Sequence, residues 1–364
     1  MLVATLLLVG GSTFAIGLLP TYAQVGVWAP VLLLLLRLIQ GFGAGAEYGG
    51  AVVMAVEFAP PGRRGLYGAF APMGTQVGNA LAAGAFLLVG LLGKDAMLSW
   101  AWRLPFLISL LLMGLGLYVR ARITETPVFQ AARARLPPHR LPALEAFRRN
   151  PRNFWVVVGA RLAENGLGYL YPVFGLSYLV DTLQVPRGIA IMGVILGSFA
   201  LVAGLAFFAW ASDRIGRRPV YIFGALFSAV WAVPFFLLAE TRDPALIALA
   251  FVVERGIGSA AMFGPQAVYF AELFAPSLRY SGFAFARELG SILAGGPAPF
   301  LAALLVEWMA GAPWGVAGYA ILLSFITAFA VWCGPETYRS DILAEEDGTS
   351  APETRASPLR LRSA

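Results

Sequence analysis

Residues 37–65 read RLIQGFGAGAEYGGAVVMAVEFAPPGRRG. The stretch begins inside an apolar run and carries Arg37, Gln40 and Glu47 at depths where a bilayer offers no water. It then breaks at a pair of prolines into the charged turn Gly-Arg-Arg-Gly at 62–65. Polar groups within hydrocarbon are costly and usually mark a function. These three side chains are therefore candidate functional residues.

The same stretch has a counterpart 215 residues downstream. With Gly41 set against Gly256, Glu57 falls on Glu272, and the Phe-Ala-Pro triplet that follows recurs after one inserted residue. This shift is far too long for a solenoid repeat. It indicates two homologous halves of several helices each.

Composition predicts a polytopic membrane protein without a separate soluble domain. Of 364 residues, 59% are hydrophobic and 13% are charged, against roughly 25% charged in soluble domains. Cys333 is the only cysteine and His139 the only histidine, which excludes an internal disulfide and a Cys/His zinc cluster. The net charge is +6, and the basic residues that produce it lie in short loops between apolar runs. This pattern is typical of membrane topology and not of nucleic-acid binding.

Apolar runs predict ten membrane-spanning helices, each near the length that crosses a bilayer. They cover residues 2–19, 27–47, 66–92, 103–119, 154–180, 189–211, 220–239, 245–270, 281–306 and 316–333.

Charge predicts the orientation of these helices. Arginines crowd alternate loops on one side, whereas the other side holds little more than Lys94, Arg187 and Arg242. Loops rich in Lys and Arg stay in the cytoplasm. The arginine-rich side and both termini are therefore predicted to be cytoplasmic.

The hydrophilic stretches predict the domain boundaries. An N-terminal helical bundle at 1–120 is joined by a cytoplasmic linker at 121–153 to a six-helix bundle at 154–339, and 340–364 form a polar tail that we predict to be disordered.

Small residues predict where helices approach closely. Gly and Ala recur at four-residue spacing at 74, 78 and 82, and again at 282, 286 and 290, a spacing that lets backbones meet. The sequence Gly-Gly-Pro-Ala-Pro at 295–299 predicts a helix broken at depth, which is tolerated only beside protein or a wet cavity.

Three motifs resemble the major facilitator superfamily. The sequence SDRIGRRP at 212–219 resembles the D-R-x-G-R-R loop that links the second and third helix of each half in this family. The Arg-x-x-Gln-Gly motif at 37–41 is similar to its fourth-helix motif, and Glu57 with Arg-Gly at 64–65 is similar to its fourth-to-fifth-helix pair. Ala209 replaces the glycine that usually opens the loop motif, so close packing is in question there.

Within the superfamily, five blocks resemble the metabolite:proton symporters that carry shikimate, 2-oxoglutarate, citrate or betaines. The blocks are GAGAEYGGA, SWAWRLPFLIS, ITETPVF, MFGPQAVYFAELFAPSLRYSG and GSILAGGPAPFLA. The resemblance implies an all-α polytopic membrane protein with the major facilitator fold, in which two pseudo-symmetric bundles hold the substrate between them. It also implies twelve helices, so that the first two are expected to be missing from this chain. A truncated gene model is the preferred explanation, and a genuine ten-span protein is the alternative.

The loop motif also predicts an electrostatic latch on the cytoplasmic side. Asp213 is expected to pair with Arg279, and Arg217 or Arg218 with Glu272, while the first-half residues of the latch lack their loop partner. The full set of candidate gate residues is Asp213, Arg214, Gly216, Arg217, Arg218, Glu57, Arg64, Glu272 and Arg279.

Charged residues inside the predicted spans are the candidate transport site. Arg161 and Glu164 are three residues apart and are expected to pair. Glu254 with Arg255, and Arg287 with Glu288, are neighbours that point in different directions, so each is expected to find its partner on another helix. For substrate binding the candidates are Arg37, Gln40, Arg161, Asn165, Tyr169, Arg255, Gln266 and Arg287, and for proton coupling they are Glu47, Glu164, Glu254 and Glu288, with Glu288 the first choice.

These observations predict a monomeric, proton-coupled symporter that imports a small anionic metabolite across the inner membrane, with the proton gradient as its only coupling agent and no cofactor. Arginine grips carboxylates bidentately, and a desolvated carboxyl group holds a proton more readily. A drug:proton antiporter of the same fold is the nearer alternative, although the fifth helix reads Ala-Pro-Met-Gly at 71–74 and lacks the antiporter pattern G-P-x-x-G-G. A membrane-embedded enzyme is the remoter one, since no HExxH or G-x-S-x-G motif is present.

Overall fold

The computed structural model describes residues 2–60, 62–122, 142–276 and 278–340, and within them it contains helices and turns but no strand. Each of the ten predicted spans falls on a helix, so the predicted all-α membrane fold is confirmed, although the second helix continues past the predicted end at Glu47 as far as Glu57. The helices, numbered α1 to α10 in chain order, are Leu2–Gly17, Trp28–Glu57, Arg64–Gly90, Ala101–Val119, Pro151–Tyr169, Arg187–Ile215, Arg217–Glu240, Pro244–Glu272, Arg279–Trp308 and Trp314–Cys333.

Eight of these helices are long and apolar enough to cross a membrane. Of the other two, α1 is a shorter apolar helix, and α5 is extended by π-helical turns as far as Thr182. Most of the predicted linker, at 123–141, and the predicted tail after Ser340 lie outside the described residues. The end of the linker forms a short helix, Pro142–Arg149.

The helices form two bundles that meet along α2 and α3. In the second bundle α5 packs against α9 and α10, and α7 packs against α8 and α10. The core lies there, and its large buried aromatic side chains are Tyr171, Tyr221, Tyr269, Phe154, Phe235, Phe236, Phe251, Phe270 and Phe283. The bundles touch where α2 packs on α9 and where α3 packs on α6 and α8.

The two stripes of small residues behave differently. A Cβ atom at Gly290 would lie 2.7 Å from the Cβ of Arg161, and one at Gly282 would lie 2.9 Å from the Cβ of Ala146, so this stripe makes the predicted helix contacts. The prediction is wrong for the first stripe, because a Cβ at Gly74 or Gly78 meets nothing within 4 Å in the described structure. The predicted break in α9 is confirmed: regular helix stops at Ala294 and resumes at Ala298.

We expect Gly224→Val to lower the free energy of unfolding by about 1–3 kcal/mol, because an added side chain over-packs the contact of α7 with α8. A Cβ there would lie 2.8 Å from the Met262 nitrogen and 2.9 Å from the Gly258 oxygen. Thermal unfolding in detergent, followed by tryptophan fluorescence, measures the effect. The matched control is Gly78→Val, which enters open space; equal melting temperatures for the two variants would contradict the prediction.

Candidate functional site

A cluster of buried polar side chains lies where α5, α7, α8 and α9 meet. Arg161 forms an ion pair with Glu164 one turn along α5, as their spacing predicts. Gln266 on α8 donates from Nε2 to Glu164 Oε2 over 2.9 Å and accepts at Oε1 from Arg161 over 3.0 Å. The two ions are only 5% and 7% exposed. The amide thus holds a desolvated ion pair in a fixed geometry.

Two hydroxyl groups complete this cluster from neighbouring helices. Tyr221 on α7 accepts from Gln266 Nε2 over 2.9 Å and donates to the Ala160 carbonyl over 2.9 Å. Ser291 on α9 accepts from Arg161 Nε over 3.0 Å. Neither residue was among the predicted site residues. Both are common polar residues of membrane helices, and only the packing of the helices brings them to Arg161 and Gln266.

Arg287 links the two bundles through an aromatic contact. Its guanidinium carbon lies 3.9 Å from the ring centre of Tyr48 on α2, a cation–π distance. Arg287 and Glu288 were expected to form ion pairs with residues of other helices. That expectation is wrong, because they pair with each other. The guanidinium is long enough to fold back on its neighbour while its face rests on Tyr48. Sequence reasoning missed Tyr48, although it directly follows the candidate Glu47.

Glu254 and Arg255 lie in a π-helical turn that spans Glu254–Ser259. Because a π-turn aligns residues five apart, Ser259 reaches Glu254 Oε1 at 3.2 Å, and Ser228 on α7 reaches the same oxygen at 3.0 Å. Glu254 is completely buried. Arg255 is 9% exposed and forms no hydrogen bond or ion pair within the described part of the chain.

Four other candidates lie outside these contacts. Arg37 donates to Gln40 over 2.9 Å in the first bundle, where it lines an open cavity of about 530 Å³ between α1, α2, the loop that joins them, and α4. The structure does not bring it to the other arginines. Tyr169 is 49% exposed and does not join the cluster. Asn165 is placed beside the break in α9, and its Oδ1 is buried without a partner among the described residues.

The predicted gate residues gather on the arginine-rich side, where α3, α6, α8 and α9 come together. Asp213 accepts from the backbone nitrogens of Gly65 and Leu66 over 2.7 and 3.0 Å, and so caps the start of α3 from the other bundle. Arg217 donates to Asp213 over 2.7 Å and lies 3.4 Å from Glu272. The expected pairing of Arg217 with Glu272 is therefore present.

The expected pairing of Asp213 with Arg279 is wrong. Arg279 instead pairs with Glu57 over 3.0 Å, because it begins α9 beside the end of α2, while Asp213 faces the start of α3. Glu57, which was expected to lack its loop partner, therefore pairs with a residue of the second half. Arg64 also has one, since it donates to the Ser340 carbonyl over 3.0 Å.

The other predicted gate residues stay within the second bundle. Arg214 stacks on Trp210, 4.1 Å from the ring centre, and Arg218 donates to the Val331 carbonyl over 3.2 Å. A residue that sequence reasoning missed, Glu336, accepts from the backbone nitrogens of Arg217 and Arg218 over 2.9 and 3.1 Å. It caps α7 with a carboxylate, as a helix N-terminus favours.

Glycines make the gate contacts possible. Gly216 has φ of +110°, a conformation that L side chains rarely adopt, and it turns the chain from α6 into α7. A Cβ at Gly65 would lie 2.6 Å from the Ala209 oxygen and 2.8 Å from Asp213 Oδ1. Packing at Ala209 is therefore close despite the absence of the usual glycine, because its partner supplies the space.

The sequence pattern described as Major Facilitator Superfamily matches residues 3–295. The chain belongs to the major facilitator superfamily. The resemblance predicted from the loop at 212–219 is thus confirmed.

Relatives of this major facilitator protein are named as transporters. The shikimate transporter of Escherichia coli K12 is 35% identical over 335 residues, which cover 90% of this chain and 76% of that protein. The glycine betaine/proline/ectoine/pipecolic acid transporter OusA of Dickeya dadantii is 35% identical over 320 residues, covering 84% of this chain and 63% of its own length. The chain is not an enzyme, and the alternative of a membrane-embedded enzyme is wrong.

A solved structure shows the same fold. The proton:xylose symporter XylE bound to 6-bromo-6-deoxy-D-glucose matches with a TM-score of 0.70 at 17% identity, over 92% of this chain and 79% of that one. At this identity the likeness establishes the fold alone. This major facilitator protein is therefore a multi-pass membrane protein with two helical bundles.

Proposed function

We propose that this protein imports a small anionic metabolite, together with a proton, across the inner membrane. The observation that carries the proposal is a set of three arginines in the helices around the bundle interface: Arg161 and Arg255 are buried, and the side chain of Arg287 is only 11% exposed. Burying a cation is costly unless it is paired. A charged residue inside a membrane helix therefore usually marks a functional site. A carboxylate is the ligand that guanidinium groups bind best. The name of the shikimate transporter, a protein of similar sequence, points to the same class of solute.

Alternating access supplies the mechanism. In this fold the two bundles rock about a site near the membrane midplane. Moving them apart on the arginine-rich side requires breaking the contacts of Asp213 with α3 and of Glu57 with Arg279. While these contacts are formed, that side is held closed, which supports an outward-open resting state. We propose that this side is cytoplasmic, as its arginines indicate, and that a monomer suffices for transport.

The proton gradient is the proposed energy source, and no cofactor is needed. The candidates to carry the proton remain Glu47, Glu164, Glu254 and Glu288. Each lies in a predicted membrane span, where little water is available to stabilise the charged carboxylate, so that the protonated form is favoured.

Uptake into right-side-out membrane vesicles tests the proposal. The solutes are radiolabelled shikimate, 2-oxoglutarate, citrate and betaine, offered with and without an inward proton gradient. We expect one of the three acids to accumulate only with the gradient, whereas betaine, which carries no net charge, should not. Uptake that persists after a protonophore collapses the gradient would rule out symport, and uptake that an inward gradient lowers would indicate the antiporter.

A further inference from the structure

We propose that Glu254 is the group that binds and releases the coupled proton, and that its charge decides whether Arg255 is available to an anionic substrate. This proposal rests on the function proposed above and names the residue that performs its coupling. It selects one of four carboxylates that the sequence left open, and it replaces Glu288 as the first choice.

The hydrogen bonds of Glu254 leave one oxygen ready for a proton. Its Oε1 accepts from Ser228 over 3.0 Å and from Ser259 over 3.2 Å. Its Oε2 is buried and has no partner among the residues that the structure describes. A proton can therefore be added to Oε2 and removed again while both serine hydrogen bonds to Oε1 are kept.

The other candidate carboxylates lack this freedom. Oε2 of Glu164 pairs with Arg161 and accepts from Gln266, so its protonation must displace a buried arginine. Glu288 pairs with Arg287, and its side chain is 36% exposed. Glu47 is only half-buried. Glu254 alone of the four is completely buried, and it forms no ion pair with any residue described. A carboxyl group in such surroundings favours the neutral form unless a cation compensates it.

The chain builds a specific pocket around this carboxyl group. A Cβ at Gly258 would lie 2.9 Å from Glu254 Oε2, so the glycine leaves the space that the carboxyl group occupies. The π-helical turn at Glu254–Ser259 brings one serine to it, and α7 brings the other. A packing contact alone would not require the glycine, the π-turn and the two serines, so we interpret them together as a site for the carboxyl group.

Few ionisable groups of the described residues face this pocket. On its own helix the neighbour is Arg255, and from the extension of α5 it is Tyr171, whose hydroxyl is also buried without a described partner. On α7 the ionisable residue closest in sequence to Ser228 is Tyr221, whose hydroxyl is already bonded to Gln266 and Ala160. Apart from these, α6, α7 and α8 carry their ionisable residues near the arginine-rich or opposite ends.

Arg255 connects the protonation of Glu254 to substrate binding. It interacts electrostatically with Glu254 and with Glu164 but is hydrogen-bonded to neither. Ionised Glu254 compensates the charge of Arg255. When Oε2 gains a proton from the outer side, Arg255 loses the compensation that Glu254 gave it, and a substrate carboxylate can bind in its place. Because linkage is reciprocal, the bound anion in turn holds the proton until both leave on the inner side and the O–H bond breaks.

Infrared difference spectroscopy of the purified protein, recorded between acid and alkaline buffer, tests the proton site without any substrate. Exposed carboxyl groups also contribute C=O bands to this difference; we expect one additional component that titrates in the wild type and is absent from Glu254→Gln. The matched control is Glu307→Gln, which makes the same change at an exposed glutamate and should keep this component. Difference spectra of the wild type and Glu254→Gln with the same titrating components would overturn the proposal. If Glu254→Gln does not fold, Glu254→Asp should keep a band at a shifted position, and an unshifted band would equally overturn it.

Transport separates this proposal from the proposed function. With the acid that the wild type accumulates in vesicles, Glu254→Gln should lose accumulation above equilibrium and keep exchange of internal for external solute. Accumulation as in the wild type would overturn the role of Glu254 and leave proton symport standing. A wild type that accumulates none of the four solutes under a proton gradient would overturn the proposed function, and the coupling role with it.

Discussion

Arg161→Met is expected to abolish solute accumulation and to lower the free energy of unfolding by about 3–5 kcal/mol. Arg161 is 5% exposed, and its guanidinium group bonds Glu164, Gln266 and Ser291. Its loss leaves the Glu164 carboxylate buried without its cation, which accounts for the loss of stability. The loss of transport has a second cause, because a cation proposed to bind the substrate is gone.

The double variant Arg161→Met with Glu164→Met separates these two causes. Replacing both members of a buried ion pair with apolar residues of similar volume is often neutral or stabilising. We therefore expect thermal unfolding of the double variant to return close to the wild type while uptake stays absent. Restored uptake would show that the pair serves stability alone and would contradict the proposed role in binding.

The control for this series is an exposed ion pair of the same residue types. Arg149 and Glu145 pair over 2.7 Å with side chains that are 56% and 31% exposed. Exposed pairs contribute roughly 0–1 kcal/mol. Arg149→Met should therefore change neither uptake nor the melting temperature appreciably.

The second large effect is expected from Asp213→Asn, which should open the arginine-rich side of the protein. Asp213 accepts from two backbone nitrogens at the start of α3 and from Arg217, and the contacts to α3 cross between the bundles. Hydrogen bonds to a charged group contribute about 1.5–3 kcal/mol each. A neutral amide also loses the attraction to the helix N-terminus. A loss of about 3 kcal/mol would shift the ratio of closed to open molecules by roughly 100-fold.

Double electron–electron resonance measures this shift as a change in the distance between two spin labels. The labels are attached at Arg63→Cys and Ile215→Cys, two exposed positions on opposite sides of the contact, in a Cys333→Ser background that removes the native thiol. We expect one short distance in the reference protein and a longer, dominant distance in Asp213→Asn.

Asp243→Asn is the matched control, because Asp243 also accepts from two backbone nitrogens at a helix start, over 2.9 and 3.0 Å, but within the second bundle. It should leave the label distance unchanged. An unchanged distance in Asp213→Asn as well would show that this contact does not hold the gate.

The sequence by itself determined the helices and the superfamily. In a bilayer every backbone polar group must be bonded within its own segment, so apolar runs of sufficient length become helices whatever surrounds them. All ten predicted spans are helices for this reason. The loop at 212–219 was recognisable because its residues are contiguous. The pairing of Arg161 with Glu164 was predictable because one turn of one helix joins them.

Only the tertiary structure decided which side chains meet across helices. Gln266 and Glu164 are 102 residues apart, and Arg279 and Glu57 are 222 apart. Their contact depends on how each helix is rotated and shifted against its neighbour, which the composition of neither helix specifies. The same holds for the π-turn that carries Ser259 to Glu254, and for Tyr48 beneath Arg287. Local hydropathy therefore fixes where the chain crosses the membrane, whereas packing between helices selects the partners of each buried charge.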